Sequence, residues 1–125
     1  MESKQKVVLI VDDEPALLGV LVDKFTHEGF AATGAKDGQE GLKAALFSHP
    51  DLILLDIIMP VMEGMTMLEN LRKDPWGKNV PVILLTNLSD SEKESLSRQK
   101  GVNDYLIKSD WKLEDVVKKV KTKIF

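Results

Sequence analysis

The chain has 125 residues, of which 43% are hydrophobic and 30% are charged, and it contains no cysteine. A chain of this length corresponds to one domain that folds without a metal or disulfide, and the lack of cysteine excludes thiol nucleophiles, iron–sulfur clusters and cysteine-ligated zinc. Its 17 Lys and Arg residues and 20 Asp and Glu residues give a net charge of −3, which argues against a nucleic-acid-binding module, since such modules are usually strongly basic.

The N-terminal segment predicts neither a secretion signal nor a membrane span. The first apolar run, Val7–Val11, is too short, because a signal peptide needs about 7–15 apolar residues and a membrane helix about 20. No longer apolar run occurs in the sequence. We therefore expect a cytoplasmic protein with a single domain over residues 1–125, in which residues 1–5 form a short tail.

Five short apolar segments predict the strands of a parallel sheet. Residues 7–11, 52–55 and 82–85 are apolar at every position, which is typical of strands covered by helices on both faces. Two weaker segments, 30–34 and 105–107, complete the set.

The first two segments between strands carry signals for the starts and ends of helices. Pro15 suits the first position of a helix, and Gly29 suits the position just after its end. Asp37 followed by Glu40 is a capping pattern that predicts the start of a second helix. The apolar positions of that helix are Leu42, Ala45 and Leu46.

Three further helices are predicted in the second half of the chain. The third is marked by Met65, Leu68 and Leu71. The fourth is predicted to begin at Ser89, with Glu92 three residues later, and to end at Gly101. The fifth has an apolar stripe formed by Leu113, Val116, Val117, Val120 and Ile124. Strict alternation of strands and helices predicts a doubly wound α/β fold.

Polar residues follow four of the five predicted strands. They are Asp12, Asp13 and Glu14 after the first strand, Asp56 after the third, Thr86 after the fourth and Lys108 after the fifth. The carboxyl ends of parallel strands meet at one edge of a sheet, where ligands bind in such folds. We therefore expect these side chains to lie close together.

Each of these residues also has a structural explanation. Asp12 or Asp13 can cap the first helix, Thr86 is an ordinary strand residue, and Lys108 can extend from a strand end into solvent. Asp56 is harder to explain in this way, because it lies between apolar segments and its charge would be partly desolvated. Their joint placement at one edge favours a functional site.

The chemistry of this set suits phosphoryl transfer. Three neighbouring carboxylates raise one another's pKa values unless a cation compensates them, and Mg²⁺ prefers such oxygen ligands. Lys108 and Thr86 can hold the oxygen atoms of a phosphoryl group. Asp56 can then attack phosphorus and form an aspartyl phosphate.

These residues resemble the receiver (phosphoacceptor) domain of two-component response regulators, including the stand-alone chemotaxis type. The matching text is Val-Leu-Ile-Val-Asp-Asp-Glu-Pro at residues 8–15, Asp-Ile-Ile-Met-Pro-Val-Met-Glu-Gly at 56–64, Thr86, and Tyr-Leu-Ile-Lys at 105–108. The match covers essentially the whole chain. It implies a flavodoxin-like receiver fold, with five helices and a five-stranded parallel sheet in the order 2-1-3-4-5.

The resemblance also implies the site residues. Asp56 is the expected phosphoacceptor. Mg²⁺ is expected to bind Asp13, Asp56 and the backbone carbonyl of Ile58 directly, and Asp12 through a water molecule. Lys108 and Thr86 are expected to bind the phosphoryl group, and Thr86 and Tyr105 to form the switch pair.

The partners implied by the resemblance are proteins. The donor is a histidine kinase or a phosphotransfer protein. The fourth helix, fifth strand and fifth helix form the face that an output protein binds or that a homodimer buries, and no direct contact with nucleic acid or membrane is expected.

The protein is not expected to be an enzyme, except that it promotes its own phosphorylation and dephosphorylation. Because the pattern fills the chain, any output is expected from a separate partner or from sequence outside these residues.

Four features depart from the usual family pattern. Ser109 stands where the family has proline, so we expect a trans peptide bond before it, since a cis bond without proline costs about 2.5–4 kcal/mol. Asn87 replaces a small residue and is expected to narrow access to the acceptor. Ile58 and Leu88 are apolar and cannot orient an attacking water, which predicts a long-lived phosphoryl group. Glu63 in place of Asp is conservative.

Alternative functions fit the sequence less well. A haloacid-dehalogenase-type phosphatase needs Asp-x-Asp, whereas here the triplet is Asp-Ile-Ile at 56–58, and a nucleotide-binding module needs a glycine-rich loop after a strand, which is absent. A receiver-like docking module that acts without phosphorylation remains the main alternative. The lysines of the fifth helix are interpreted as a solvated face, with a docking surface as the alternative.

Overall fold

The computed structural model describes residues 5–87, 90–102 and 104–125, in which five parallel strands form one sheet with helices on both faces. The strands are β1 (Val7–Val11), β2 (Ala31–Ala35), β3 (Leu52–Leu55), β4 (Val82–Thr86) and β5 (Asp104–Ile107). The helices are α1 (Pro15–His27), α2 (Gly38–Ser48), α3 (Gly64–Lys73), α4 (Ser91–Gln99) and α5 (Leu113–Ile124), and a 3₁₀ turn covers Lys108–Asp110. The strand order β2-β1-β3-β4-β5 confirms the prediction.

The sheet separates two hydrophobic layers because successive side chains of a strand point to opposite faces. Leu9 and Val11 pack on the face that carries α2 and α3, whereas Val8 and Ile10 pack on the face that carries α1 and α5. Both faces are covered, which explains why β1, β3 and β4 have no polar alternation.

Most helix ends follow their predicted signals. Pro15 is the first residue of α1, and Gly29 adopts a left-handed conformation (φ +95°) after its end. The Asp37 side chain accepts a hydrogen bond from the backbone N–H of Glu40 at 2.8 Å and caps α2. The apolar stripe predicted for α2 is wrong at Leu46, which is exposed, because the helix faces the sheet through smaller residues.

The fourth helix begins after a different cap from the one expected. Ser89 lies outside the described residues, and the side chain of Asp90 accepts hydrogen bonds from the backbone N–H groups of Glu92 and Lys93. Gly101 follows the helix with φ +80°, as predicted. Of the nine residues of α4, all of them described, Ser97 alone is buried, so α4 is held by little apolar surface.

No helix among the described residues is both long and apolar enough to cross a lipid bilayer.

Candidate functional site

A cleft of about 270 Å³ opens at the carboxyl ends of β1, β3 and β4. Its lining consists of Asp13, Glu14, Asp56, Ile58, Thr86 and Asn87. The structure therefore brings together the residues that follow separate strands in the sequence, at the edge where the strand pattern predicted a site.

The sheet itself positions the two buried aspartates. The backbone N–H of Asp12 donates to the carbonyl oxygen of Ala35, and the N–H of Asp56 donates to the carbonyl oxygen of Val11, both at 3.0 Å. The ladder thus continues one residue beyond β1 and β3. Asp12 and Asp56 are only 2% and 6% exposed, whereas Asp13 is more accessible.

Asp12, Asp13 and Asp56 each place a carboxylate oxygen within 4.8 Å of the others. Three acids at this separation repel one another strongly, because the effective dielectric constant inside a protein is far below that of water. Oxygen donors in such a cluster are those that hard divalent cations prefer.

Lys108 compensates part of this negative charge. Its ammonium nitrogen lies 2.7 Å from Asp12 Oδ2, 3.0 Å from Glu14 Oε1 and 3.2 Å from Asp56 Oδ2. The lysine side chain is 10% exposed, so these contacts are poorly screened by water. One cation is therefore shared by three carboxylates.

Burial has opposite effects on the two charged partners. It raises the pKa of the Asp12 carboxyl above its usual value, and hydrogen bonds from Lys108 and from the Glu14 backbone only partly oppose this. Burial alone would lower the pKa of Lys108, but its hydrogen bonds to Asp12 and Glu14 and the charge of Asp56 raise it instead. Lys108 is consequently a permanent cation at physiological pH.

The Asp56 carboxylate is held at both oxygens. Oδ1 accepts a hydrogen bond from the backbone N–H of Ile57 at 2.7 Å, and Oδ2 accepts one from Lys108 at 3.2 Å. These two contacts fix the plane of the carboxylate at the floor of the cleft. The Asp12 carboxylate is held similarly, by Lys108 and by the backbone N–H of Glu14 at 2.9 Å. Its contact with Lys108 goes beyond the role of a cap at the start of the first helix.

The β3–α3 loop forms one wall of the cleft, and two glycines allow the backbone to pack closely around this loop. A Cβ atom on Gly64 would lie 2.1 Å from the carbonyl oxygen of Asp56, and one on Gly38 would lie 2.1 Å from the carbonyl oxygen of Met62. Glycine is therefore required at both positions. The compact loop leaves the Ile58 side chain 60% exposed at the cleft.

Thr86 and Tyr105 share one face of the sheet. Tyr105 pairs in register with Leu84, two residues before Thr86, so the side chains of Thr86 and Tyr105 point the same way. Thr86 is buried, and Tyr105 is half-buried against the core layer. Burial, together with the nearby charges of Asp90 and Glu94 at the start of α4, raises the pKa of the Tyr105 phenol.

The peptide bond before Ser109 is trans, as expected, since no cis bond occurs in the described parts of the chain. Lys108 is the first residue of the 3₁₀ turn, which ends at Asp110. Asn87 is exposed and lines the cleft beside Thr86. Leu88, the second apolar residue expected near the acceptor, lies outside the described residues.

Two sets of contacts were missed by sequence reasoning. The contact between Glu14 and Lys108 joins residues 94 positions apart, and the sequence showed only that Glu14 follows the two aspartates. Lys119 and Lys123 both pair with the buried Asp104, a contact that the interpretation of the α5 lysines as a solvated face did not include. Their spacing of four residues on one helix face was the available signal.

Comparison with known proteins gives consistent results. The family model of the response regulator receiver domain matches residues 8–121. The chain is 36% identical over 108 residues to a probable transcriptional regulator ycf27 of Guillardia theta, and 32% identical over 124 residues to the DNA-binding response regulator MtrA of Mycolicibacterium smegmatis. These matches cover 86% and 99% of this chain but 41% and 53% of the relatives, so the chain spans about half of their length.

Solved structures match over nearly their full length. The chemotaxis protein CheY4 of Vibrio cholerae has a TM-score of 0.88 at 27% identity, with 96% of this chain and 99% of that chain covered. A CheY-like receiver domain protein of Methanospirillum hungatei has a TM-score of 0.90 at 30% identity, with 97% and 94% covered. With its fold, its acidic cluster and Lys108 in place, the chain belongs to the response regulator receiver domain family, whose members are signalling modules rather than enzymes.

Proposed function

We propose that this receiver accepts a phosphoryl group on Asp56 in a Mg²⁺-dependent reaction and thereby switches a protein-docking face. One observation carries the proposal: the Asp56 carboxylate is held at both oxygens on the floor of a cleft, beside two further aspartates and a buried lysine. A carboxylate fixed in this way is a suitable nucleophile for phosphorus.

The donor set fits magnesium. The three aspartates offer only oxygen atoms, these lie within 4.8 Å of one another, and one lysine cannot neutralise them. Asp13, Asp56 and the backbone carbonyl of Ile58 would hold the ion directly, with Asp12 acting through water. When bound, Mg²⁺ supplies positive charge for the oxygen atoms of the transferring group.

Each residue of the cleft would have a separate role in phosphoryl transfer. An oxygen of Asp56 attacks phosphorus, a new P–O bond forms, and the P–N bond of the phosphohistidine donor breaks as the imidazole nitrogen leaves with the electron pair. Lys108 already lies against Asp56 and would pair with a phosphoryl oxygen. The hydroxyl of Thr86, which lines the cleft, would donate a hydrogen bond to another.

Thr86 and Tyr105 would pass the change to the docking face. Their side chains lie on the same face of neighbouring strands, and Tyr105 is near the charged start of α4. If Thr86 moves toward the phosphoryl group, the tyrosine ring gains room to move inward behind it. Phosphorylation would then favour one arrangement of α4, β5 and α5 over another, which is a shift of population between two states.

Receiver domains are phosphorylated by histidine kinases. We propose that a histidine kinase or a phosphotransfer protein is the donor here, and that an output protein or a second copy of the chain binds the face formed by α4, β5 and α5. The small buried surface of α4 supports its role as the part that rearranges.

The aspartyl phosphate is expected to be long-lived. The Ile58 side chain is exposed at the cleft, and it has no polar atom with which to orient an attacking water. Ile58→Asn should therefore shorten the phosphoryl half-life, measured by loss of label after removal of the donor. A wild-type half-life no longer than that of the fastest chemotaxis-type receivers would contradict this.

Phosphate labelling tests the proposed function directly. Wild type, Asp56→Asn and the control Asp23→Asn, which changes an exposed residue of α1, are incubated with radiolabelled acetyl phosphate or a labelled kinase in the presence of Mg²⁺. Wild type and the control should be labelled and Asp56→Asn should not. Equal labelling of all three would place the acceptor elsewhere.

A docking module that acts without phosphorylation is the second candidate, favoured by Asn87 at the mouth of the cleft. Intrinsic fluorescence distinguishes the two, because Trp111 lies beside Lys108 in a neighbouring cavity. Titration with Mg²⁺, alone and with beryllofluoride, should change the fluorescence and raise the melting temperature, since a ligand of the folded state stabilises it. If neither quantity changes, the phosphoacceptor proposal fails.

A further inference from the structure

Glu14 is a residue of the cleft to which the proposed reaction assigns no role. Its carboxylate lies 3.0 Å from the Lys108 ammonium, nearer than the carboxylate of Asp56 at 3.2 Å. The Glu14 side chain is 54% exposed, whereas the other two carboxylates bound to Lys108 are almost completely buried.

We propose that Glu14 is a positioning residue that competes with the phosphoryl group for Lys108 and so lowers the affinity of the site for a phosphoryl group. The inference rests on the proposed function, because it requires that Lys108 binds the phosphoryl group on Asp56. It assigns to Glu14 a regulatory effect on the same site.

The number of hydrogens on Lys108 supports this competition. An ammonium group has three hydrogens to donate, and Lys108 has three carboxylate partners, Asp12, Glu14 and Asp56. A phosphoryl oxygen can pair with the lysine only if it replaces or shares one of these contacts.

Glu14 is the partner that is most easily displaced. Asp12 and Asp56 are fixed by backbone hydrogen bonds within the buried site, so neither can turn toward water. Glu14 is already half in solvent, and its carboxylate regains full hydration when it leaves the lysine. Of the three contacts of Lys108, the one to Glu14 is thus the least costly for a phosphoryl oxygen to replace.

The backbone holds Glu14 in position for this role. Its N–H donates to Asp12 Oδ1 at 2.9 Å, which ties the residue to another partner of Lys108. Glu14 precedes the first turn of α1, but its side chain makes no capping hydrogen bond. The side chain can therefore be truncated without removing a cap from the helix.

Beryllofluoride, which mimics a phosphoryl group on a carboxylate, provides the test. Its dissociation constant is measured by intrinsic fluorescence at saturating Mg²⁺ for wild type, Glu14→Ala and Glu14→Asp. Glu14→Ala should bind about two- to fivefold more tightly, the factor that corresponds to loss of a partly exposed ion pair. Unchanged or weaker binding by Glu14→Ala would overturn the inference.

Glu14→Asp separates direct contact from long-range charge. Aspartate keeps the charge but is one methylene shorter, so it should lose the contact and bind beryllofluoride more tightly than wild type, as Glu14→Ala does. If Glu14→Asp binds like wild type while Glu14→Ala binds more tightly, the effect comes from charge alone and the competition for Lys108 is refuted.

Glu69→Gln is a matched control. Glu69 is 56% exposed and pairs with a neighbouring lysine, Lys73, at 4.0 Å on α3, away from the cleft. The loss of this carboxylate should leave the beryllofluoride affinity unchanged, and urea unfolding should show that all the variants are fully folded under the conditions of the titration. If wild type itself binds no beryllofluoride, the proposed function fails and the inference fails with it; if wild type binds and Glu14→Ala does not differ, only the inference fails.

Discussion

The two ends of the sheet carry opposite charge balances. At the carboxyl end, one lysine, Lys108, is shared by three carboxylates. At the amino end, the Asp104 carboxylate pairs with two lysines of α5, Lys119 at 3.1 Å and Lys123 at 2.7 Å. Both sites combine a buried aspartate with lysine, yet only the first has acids in excess.

The pKa values follow this difference. Burial raises the pKa of Asp12, and its single lysine does not reverse the effect. Burial would also raise the pKa of Asp104, but hydrogen bonds from Lys123 and Lys119 outweigh it and the pKa is lowered. At the amino end, the negative charge of Asp104 is thus fully compensated by lysines. At the carboxyl end, an excess of negative charge remains, which a cationic ligand can compensate.

The largest expected effect is the loss of Lys108. Lys108→Met should lower the free energy of unfolding by about 3 kcal/mol without divalent cations, because removing one partner of a buried ion pair leaves its carboxylates uncompensated. Urea unfolding measures the change. Added Mg²⁺ should restore part of it, since the ion supplies positive charge to the same oxygens.

Lys123→Met is the comparison for this variant. It should cost about 1 kcal/mol or less, because Lys119 still pairs with Asp104 and both lysines are about one-third exposed. Mg²⁺ should have the same effect on this variant as on wild type. If the two lysine variants lose the same free energy of unfolding, the two ends of the sheet do not differ in their charge balance.

An intermediate effect is expected for Asp104→Asn. It should lower the free energy of unfolding by about 1–2 kcal/mol at neutral pH, because a neutral amide replaces the carboxylate that pairs with both lysines. A carboxyl with a lowered pKa in the folded state stabilises the protein above its usual pKa of 3.8, and this contribution is lost as the pH falls through the folded value. The difference between wild type and variant should therefore shrink on acidification in urea unfolding.

The opposite pH dependence is expected for Asp12. Its pKa is raised in the folded state, so its contribution to stability is fully present below its usual value of 3.8 and is lost as the pH rises through the folded value. Relative to Asp12→Asn, wild type should become less stable with rising pH when no divalent cation is present. Parallel pH profiles for these two proteins would contradict the charge excess at this end.

The smallest effect is expected for Asp13→Asn. Removing one accessible acid from the cluster should raise the free energy of unfolding by about 0.5–1 kcal/mol without divalent cations, because repulsion within the cluster decreases. The melting temperature should rise by about 2–5 °C. The further rise that Mg²⁺ causes in wild type should be absent or much reduced, and a full Mg²⁺ response in the variant would exclude Asp13 as a ligand.

Sequence reasoning placed the candidate site residues at one edge of the sheet because of a property of parallel sheets. Residues that follow strands need no information about side-chain contacts to be placed at a common edge, so Asp12, Asp56, Thr86 and Lys108 were found from apolar runs alone. The roles of the individual residues came from the family resemblance, not from the pattern.

The features that the sequence did not predict depend on packing between distant elements. The pairing of Asp104 with Lys119 and Lys123 requires the rotation of α5 against β5, which the amphipathic pattern fixes only to within a face. Leu46 fits the helical period of α2, but it is exposed. The residues of α2 that are buried are small, so the buried face of this helix is narrower than the apolar pattern suggests. For α4, Ser89 and Asp90 are adjacent residues of the two types that favour N-caps, so composition alone does not choose between them.

The extension of the sheet ladder through Asp12 and Asp56 has a consequence for hydrogen exchange. Because the amide protons of both residues are bonded to carbonyl groups of neighbouring strands, they should exchange with solvent as slowly as those of the central strands. The amides of α4, which buries only Ser97 among its nine described residues, should exchange much faster. The Asp56 carboxylate therefore extends from a backbone that belongs to the most protected part of the fold, whereas α4, which buries little surface, is the element that we expect to rearrange most readily.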